Sequence, residues 1–376
     1  MPAPDAISLL RELVSIPSVN PSGNPGTAGI NEQKIAAFLK NWTEAAGAKS
    51  RLIPVLPDRP NILAVWKPRR RVKTRIWFAP HTDTVSVVGM TVPPFTPTER
   101  RGRLYGRGAC DTKGPMAAML WAIAEWWRTG GAESEVEVTF AGLMGEEAGN
   151  DGARALAASP TRHAPDLVIV GEPTDLRVVT AHKGVLWLDL QASGRACHAS
   201  APERGENAIY ALNEGIAVLR RDIIPKLAHH PHPLLGAATL SIGTIRGGSK
   251  VNIVPDSCGA EIDIRTTPSF TDKAVLAEIR QALRRKASSC RVTVQRSETG
   301  LASDPEHPLI RHLAAFSRGI TGVPWFCDAA FFARRGWPAV AFGPGSISQA
   351  HTRDEFIVLK EVGTGVAAYL GFLRSL

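Results

Sequence analysis

The hydrophobic and polar positions of the chain follow two periodicities, which predict helices and strands in turn. Apolar residues recur at helical spacing over residues 5–16, 28–47 and 113–128. Short apolar runs that predict strands lie at residues 62–66, 75–79, 135–143, 166–170 and 338–342. Strands that alternate with helices in this way predict an α/β domain with a mostly parallel sheet.

The pattern changes between residues 180 and 293, where the order of elements is β-α-β-β-α-β. The predicted elements are a strand at 185–191, a helix at 207–221, strands at 239–245 and 258–265, a helix at 272–287 and a strand at 291–296. This order is that of a ferredoxin-like α+β domain. We therefore predict one domain made of residues 1–179 and 294–376, with a second domain, residues 180–293, inserted into it.

The net charge of the chain is +9, from 44 basic and 35 acidic residues, which raises the question of nucleic-acid binding. The basic residues are scattered or form short runs such as residues 69–75, and no basic stripe is interleaved with aromatic residues. The charge is therefore interpreted as a solvated basic surface, and no nucleic-acid partner is expected. A weak preference for anionic substrates stays open.

Cysteine usage and the N-terminal sequence predict a cytoplasmic protein. The five cysteines are odd in number and form no Cys-x-x-Cys pair, which argues against a disulfide framework or a cysteine zinc site. The first 21 residues lack a basic region followed by a long apolar region, so no signal peptide is predicted. No apolar run approaches the roughly 20 residues of a membrane span.

Ionisable side chains that suit catalysis follow the ends of several predicted strands. They are His81, Asp83, Glu146, Glu147, Glu172 and His351, and Asp111 stands just before the helix at 113–128. Ligand sites in open α/β sheets lie outside the carboxyl ends of the strands, so these residues should converge. Two imidazoles with several carboxylates suit zinc, cobalt or manganese. Each motif alone is a weak signal, and their joint occurrence at strand ends carries the prediction.

Eight segments together give the chain a family resemblance. They are HTDT, GRGACDTKG, GEEAGNDGA, VGEPTD, GRACHASAPERGENAI, KVNIVPD, DIRTTP and GPGSISQAHTRDEF. In this order they resemble the M20 metallopeptidase family, which includes acetylornithine deacetylases, succinyl-diaminopimelate desuccinylases, aminoacylases and glutamate carboxypeptidases. The resemblance implies a zinc-peptidase-like catalytic domain and assigns the insertion as a lid and dimerisation domain.

The resemblance also implies a catalytic centre that holds two zinc or cobalt ions. Asp111 would bridge the two ions with its two carboxylate oxygens. His81 and Glu172 would complete the ligands of one ion, and Glu147 and His351 would complete those of the other. Such a pair of ions activates water and polarises the bond that it attacks.

Further roles follow from the same resemblance. Glu146 would be the general acid and base of amide hydrolysis. Asp83 would accept the second ring N–H of His81 and so fix its tautomer. The resemblance also leads us to expect a cis peptide bond between Asp111 and Thr112.

His198, in the inserted domain, matches a family histidine that helps to form the oxyanion hole, often from the partner subunit of a homodimer. A homodimer through the lid domain is therefore expected. From the residues alone, His198 could instead be a loop histidine that caps Ser200, and that alternative stays open.

Asn252 and Arg265 match lid positions that hold the polar end of the substrate. Arg265 suits a carboxylate, because guanidinium groups grip carboxylates through two parallel hydrogen bonds. A salt bridge with Asp263 or Glu261 at a sheet edge is the alternative for Arg265.

The substrate is predicted only in outline. The segment GPGSISQAHTRDEF resembles acetylornithine deacetylases more than desuccinylases, which favours a short N-acyl group on an amino acid with a free carboxylate. A desuccinylase, an aminoacylase or a carboxypeptidase remains an alternative, because the loop with Cys327 and Asp328 matches the family only loosely. A non-catalytic binding protein of the same fold is the alternative from another class, and it should have lost Glu146 or a ligand.

Overall fold

The computed structural model describes residues 5–22, 30–161 and 163–376. The α-helices in these ranges are α1 (Ala6–Ser15), α2 (Gln33–Ala45), α3 (Lys113–Arg128), α4 (Asp151–Ala158), α5 (Ala208–Val218), α6 (Ile224–Ala228), α7 (Asp272–Lys286), α8 (Pro308–Ala314), α9 (Ala329–Arg334) and α10 (Leu359–Arg374). The strands are β1 (Lys49–Leu56), β2 (Arg59–Trp66), β3 (Thr74–Phe78), β4 (Thr98–Arg100), β5 (Arg103–Tyr105), β6 (Val136–Gly142), β7 (Leu167–Val170), β8 (Val178–His182), β9 (Gly184–Ser193), β10 (Thr239–Gly247), β11 (Ser257–Thr266), β12 (Cys290–Glu298), β13 (Leu301–Ala302), β14 (Ile320–Val323), β15 (Ala339–Ala341) and β16 (Phe356–Val358).

The chain divides into two compact units. The first contains residues 1–180, 303–321 and 327–376, and the second contains residues 181–302 and 322–326. The inserted domain was predicted to end at residue 293, which lies inside β12. A boundary there would cut a strand that pairs with β9 along its whole length, so the second unit extends to Ala302.

The sheet of the first unit runs in the order β1-β2-β6-β3-β7-β15-β8. The four central strands, β6, β3, β7 and β15, are parallel, and the pairs outside them are antiparallel. The predicted α/β class is confirmed, with the parallel pairing concentrated at the centre. Buried apolar side chains from these strands pack against α3, whose residues are mostly small or apolar.

The central strands end level with one another, and this positions the site. Phe78 of β3 lies opposite Phe140 of β6 and Ile169 of β7, and Val340 of β15 also lies opposite Ile169. All four side chains are completely buried. Because parallel strands in register end at the same edge, the loops that follow them begin side by side.

The second unit contains a four-stranded antiparallel sheet in the order β10-β11-β9-β12. Alternate residues of β9, such as Leu186, Leu188 and Leu190, face a core shared with α5 and α7. With the chain order β-α-β-β-α-β, this arrangement confirms the predicted ferredoxin-like α+β domain.

The helices predicted at residues 28–47 and 113–128 are both present. The helix predicted over residues 28–47 occupies Gln33–Ala45, and residues 28 and 29 lie outside the described part of the chain. Helix α3 matches its predicted bounds.

Among the described residues, no helix combines the length and apolarity that crossing a bilayer requires.

Candidate metal centre

His81 lies in the loop after β3, where it forms a parallel bridge with Leu143 after β6. Its Nε2 atom is 3.0 Å from Oδ1 of Asp111, and its Nδ1 atom is 2.9 Å from the backbone carbonyl oxygen of Asp83. A carbonyl oxygen can only accept a hydrogen bond, so Nδ1 carries a proton. Nε2 is therefore the ring nitrogen that can bind a cation.

The Asp83 carboxylate lies beside the His81 ring and also contacts the segment that contains Glu146 and Glu147. Its nearer oxygen is 3.5 Å from Nδ1 of His81, farther than the carbonyl oxygen of the same residue. The carboxylate instead accepts hydrogen bonds from the backbone N–H groups of Glu146 and Glu147, both at 3.0 Å, and from the side-chain amide of Asn20 at 2.7 Å. Two of these three hydrogen bonds come from the glutamates, so Asp83 fixes the backbone of Glu146 and Glu147.

Asp111 is the centre of the site. One carboxylate oxygen faces His81, and the other is 3.3 Å from Nε2 of His351. The same nitrogen of His351 is 3.0 Å from Oε2 of Glu147. The candidate ligand atoms form two groups, and within each group all of them lie within 4.8 Å of one another. One group is His81, Asp111 and Glu172, and the other is Asp111, Glu147 and His351. The structure thus brings all five predicted ligands together around the two oxygens of Asp111.

The charges of the site favour bound cations. Burial raises the pKa of Glu146 and of Glu172 well above the ordinary value, and the neighbouring carboxylates raise both further. Burial also raises the pKa of Glu147, to about 7, and hydrogen bonds to Asp111 and Glu147 raise that of His351 to about 10. Bound cations would offset this repulsion and stabilise the ionised carboxylates.

Unsatisfied oxygens lie at the same place. In the described part of the chain, Oε1 of Glu147 and Oε1 of Glu172 are buried without a hydrogen-bond partner. Buried polar atoms are almost always paired, so an orphaned oxygen in each ligand group suggests a missing ligand. The oxygen and imidazole donors fit hard or borderline divalent cations.

Glu355 was not predicted as a functional residue, although it lies in the motif that contains His351. It is completely buried, and its carboxylate accepts hydrogen bonds from Arg107 (2.7 Å) and from the backbone N–H groups of Gly108 (2.9 Å), Cys110 (2.9 Å) and Asp111 (3.0 Å). One side chain thus holds the loop that presents Asp111. Directly after this loop, the peptide bond from Asp111 to the next residue is cis, as expected.

Glu355→Gln is expected to lower the free energy of unfolding by about 3–5 kcal/mol, the usual cost of breaking a buried ion pair from one side. The amide would turn its NH₂ group toward backbone N–H donors. Denaturant unfolding would measure the loss. Glu12→Gln, at an exposed position of α1, is the matched control and should change stability by less than about 0.5 kcal/mol. Equal effects of the two substitutions would contradict this role for Glu355.

His198 and Asn252 lie on neighbouring segments of the second unit. The backbone N–H of Ala199 donates to the carbonyl oxygen of Asn252 at 3.0 Å, and His198 bridges to the residue after Asn252. Nδ1 of the exposed His198 accepts the backbone N–H of Ser200 at 3.2 Å and is 2.7 Å from its hydroxyl oxygen. The contact with Ser200 considered from the sequence is therefore present, and it leaves the proton of a neutral ring on Nε2.

Arg265 makes the salt bridge that the sequence offered as an alternative. Its Nε and Nη2 atoms donate to Oδ2 of Asp263 at 3.2 and 3.1 Å. The pair is not at a sheet edge, because β11 has β10 on one side and β9 on the other. Glu261 instead accepts a hydrogen bond from Thr244.

The three predicted lid residues are not brought together within one chain. Arg265 stands near one end of β11, while Asn252 precedes its other end at Ser257. Eight strand residues at roughly 3.3 Å each separate Arg265 from Ser257 by about 26 Å. Antiparallel pairing continues beyond Ser257, since Val254 donates to the carbonyl oxygen of Cys197 at 2.9 Å. His198 and Asn252 therefore lie at the opposite end of the sheet from Arg265.

The fold and the site are those of a metal-dependent hydrolase, and comparison with known proteins agrees. The sequence model of peptidase family M20/M25/M40 matches residues 77–375, which is most of the chain. The protein therefore belongs to the M20 family.

Relatives with assigned activities include acetylornithine deacetylases. Those of Edwardsiella ictaluri and Photorhabdus laumondii are each 30% identical to this chain, over 94% and 96% of it and 93% and 94% of their own lengths. Among solved structures, an M20 family metallo-carboxypeptidase from Sulfolobus solfataricus superimposes with a TM-score of 0.82 at 18% identity, covering 98% of both chains. A dinuclear metal-binding M20 peptidase from Bacillus subtilis gives 0.72 at 16% identity, covering 98% of this chain and 97% of its own. These structures support the fold.

Proposed function

We propose that this protein hydrolyses the amide bond of a short N-acyl amino acid, as an acetylornithine deacetylase does, with two zinc or cobalt ions. The observation that carries the proposal is the position of Asp111, whose two oxygens face two different histidines and join two ligand groups. Glu146 lies beside these groups and belongs to neither. A shared carboxylate with an adjacent unligated acid suits metal-assisted hydrolysis.

The two ligand groups would each hold one ion. His81 and Glu172 would hold the first with Asp111, and Glu147 and His351 would hold the second with the same aspartate. When bound, the ions supply Lewis-acid polarisation and lower the pKa of water.

Glu146 is the proposed general acid and base. It takes a proton from the attacking water and returns one to the leaving amine. Its backbone N–H and that of Glu147 are both fixed by Asp83. Glu146 and Glu147 lie in a turn, and only Glu147 belongs to a ligand group, so one glutamate can bind an ion while its neighbour faces the substrate.

The lid residues are proposed to bind the substrate. His198 would donate from Nε2 to the oxyanion that develops on the amide carbonyl, because its Nδ1 atom is already an acceptor. Arg265 would bind the substrate carboxylate and Asn252 another polar group of the substrate. An N-acyl amino acid is far shorter than the sheet that separates Arg265 from His198. This supports a site in which one copy of the chain supplies His198 and Asn252 and another supplies Arg265.

A homodimer through the second unit would provide both sets of residues. Its edge strand β10 carries Ile245, which is 58% exposed, and helix α5 of the same unit carries Tyr210, which is 73% exposed. Val251, in the loop before β11, is fully exposed. An open strand edge with large exposed apolar side chains is typical of a surface that another chain covers.

Ile245→Glu is expected to convert the dimer to a monomer and to lower kcat by about 10²–10³-fold, the usual loss when an oxyanion donor is removed. Sedimentation velocity and steady-state kinetics would measure the two effects. Val88→Glu, at a position of the first unit that is 76% exposed, is the control and should change neither. A monomeric Ile245→Glu variant with full activity would contradict the shared site.

The substrate is best tested with a panel. N-acetylornithine, N-succinyl-diaminopimelate, other N-acyl amino acids and short dipeptides would be assayed with added zinc or cobalt. We expect the highest kcat/KM for N-acetylornithine, in line with the 30% identity to acetylornithine deacetylases. A preference for N-succinyl-diaminopimelate or a dipeptide would replace the deacetylase by a desuccinylase or peptidase of the same family. No hydrolysis of any member would favour a non-catalytic binding protein.

A reducing compartment is also proposed. All five cysteines of the chain are free thiols, at residues 110, 197, 258, 290 and 327. Unpaired cysteines are the rule where thiols are kept reduced. We therefore propose that the protein works in the cytoplasm.

A further inference from the structure

We propose that Asn150 and Asp328 are positioning residues that aim the Glu146 side chain for proton transfer. The inference rests on the proposed function, because that function makes Glu146 the group that moves the proton. It adds two residues that neither the strand-end pattern nor the ligand groups identified.

Asn150 lies four residues after Glu146, just before α4. Its backbone is left-handed, with φ 56° and ψ 33°, a conformation that asparagine tolerates better than most residues. Its backbone N–H donates to the carbonyl oxygen of Gly145 at 2.7 Å, which closes the loop that holds Glu146. The residue is almost completely buried.

The side chain of Asn150 does not do what asparagine usually does at this position. Before a helix, an asparagine side chain normally accepts an N–H of the first turn, but this one makes no such bond. Its Nδ2 atom is 3.0 Å from Oδ1 of Asp328 and 3.4 Å from Oε1 of Glu146. The side chain is thus turned from its own helix toward two acids.

The chemistry of the amide explains this choice. An NH₂ group has two hydrogens, so the amide nitrogen can donate to the Asp328 carboxylate and to Glu146 at the same time. Asp328 is completely buried and just precedes α9, so it is a fixed anchor for Asn150. The second hydrogen can then restrain Oε1 of Glu146 through the longer contact of 3.4 Å.

A purely structural role is the competing explanation, because the Asn150–Asp328 bond joins the segments before α4 and α9. Exchanging the two residues distinguishes a structural role of this bond from a role in positioning Glu146. In the double variant Asn150→Asp/Asp328→Asn, the hydrogen bond between the two positions can re-form with donor and acceptor reversed. Glu146, however, then faces a carboxylate instead of an N–H donor.

The test compares Asn150→Asp, the exchanged double variant, Glu146→Gln and the wild type. Asn41→Asp, the same chemical change at an exposed position of α2, is the matched control. For each protein, kcat, KM, bound cations and Tm would be measured, and crystal structures would locate the Glu146 side chain. We expect Asn150→Asp to lower kcat by about 10–100-fold, as loss of a supporting partner of a catalytic group usually does, with KM and bound cations unchanged. The double variant should recover Tm without recovering kcat, and both should show Glu146 displaced.

Two results would overturn the inference: recovery of kcat together with Tm in the double variant, or an unmoved Glu146 side chain in Asn150→Asp. Failure of the proposed function has a different signature. If the wild type hydrolyses no member of the panel, or Glu146→Gln keeps full activity, the assignment of Glu146 fails. The crystallographic comparison still decides whether Asn150 and Asp328 set the position of that side chain.

Discussion

Glu146→Gln is expected to lower kcat for amide hydrolysis by roughly 10²–10⁴-fold, the contribution usual for general acid–base catalysis. Glutamine keeps the shape of the side chain and loses the group that takes up and returns the proton. The backbone N–H at residue 146 still donates to Asp83, so the loop should keep its position. The ligand groups do not include Glu146, so cation binding should be unchanged.

Steady-state kinetics and metal analysis on the same sample would test this expectation. Glu12→Gln, the same change at an exposed position, is the control and should keep full kcat. A Glu146→Gln enzyme that keeps its cations and full activity would show that another group moves the proton. One that loses its cations would instead make Glu146 a ligand.

Asp111→Asn is the second substitution from which we expect a large effect. The substitution is isosteric but removes the negative charge that faces both His81 and His351. Since both ligand groups contain Asp111, we expect the bound cations to fall from two per chain to at most one. The rate of hydrolysis should fall to the uncatalysed rate in buffer, because the remaining ligands no longer hold a pair of ions.

Calorimetric titration with zinc and an activity assay would measure both losses. Asp58→Asn is the control, since Asp58 is exposed and its left-handed backbone (φ 55°) suits asparagine equally well. An Asp111→Asn protein that still binds two cations tightly would contradict the bridging role.

The sequence predicted the centre of the fold because its signals are local. The four central strands are short, buried apolar runs, and they were placed within one residue at each end. Strand β1 was missed because it is an edge strand with mostly exposed side chains and a proline at position 54, which weakens the strand pattern. Strand β8 was missed because the predicted boundary between the domains, at residue 180, falls inside it.

The convergence of the five candidate ligands could be predicted because the carboxyl ends of neighbouring parallel strands lie at one edge of the sheet. The hydrogen bonds of Glu355 and Asp328 could not be predicted in this way. They reach segments about 245 and 178 residues away in the sequence, which no local pattern encodes. The partner of His81 was predicted as the Asp83 side chain, but the backbone carbonyl oxygen is nearer, a distinction that only loop geometry settles.

The lid residues show the same limit. Arg265 was placed with Asn252 on one substrate, yet the length of β11 separates them within a single chain. The strand predicted at residues 258–265 already implies a long separation, but the sequence does not say which copy of the chain supplies each residue.

The most direct test of the account is a cation titration of the metal-free protein that follows bound zinc or cobalt and hydrolysis of N-acetylornithine together. We expect no hydrolysis without cations, two cations bound per chain at saturation, and full activity only as both ligand groups around Asp111 fill. Hydrolysis by the metal-free protein, or full activity with one cation bound at saturation, would contradict it.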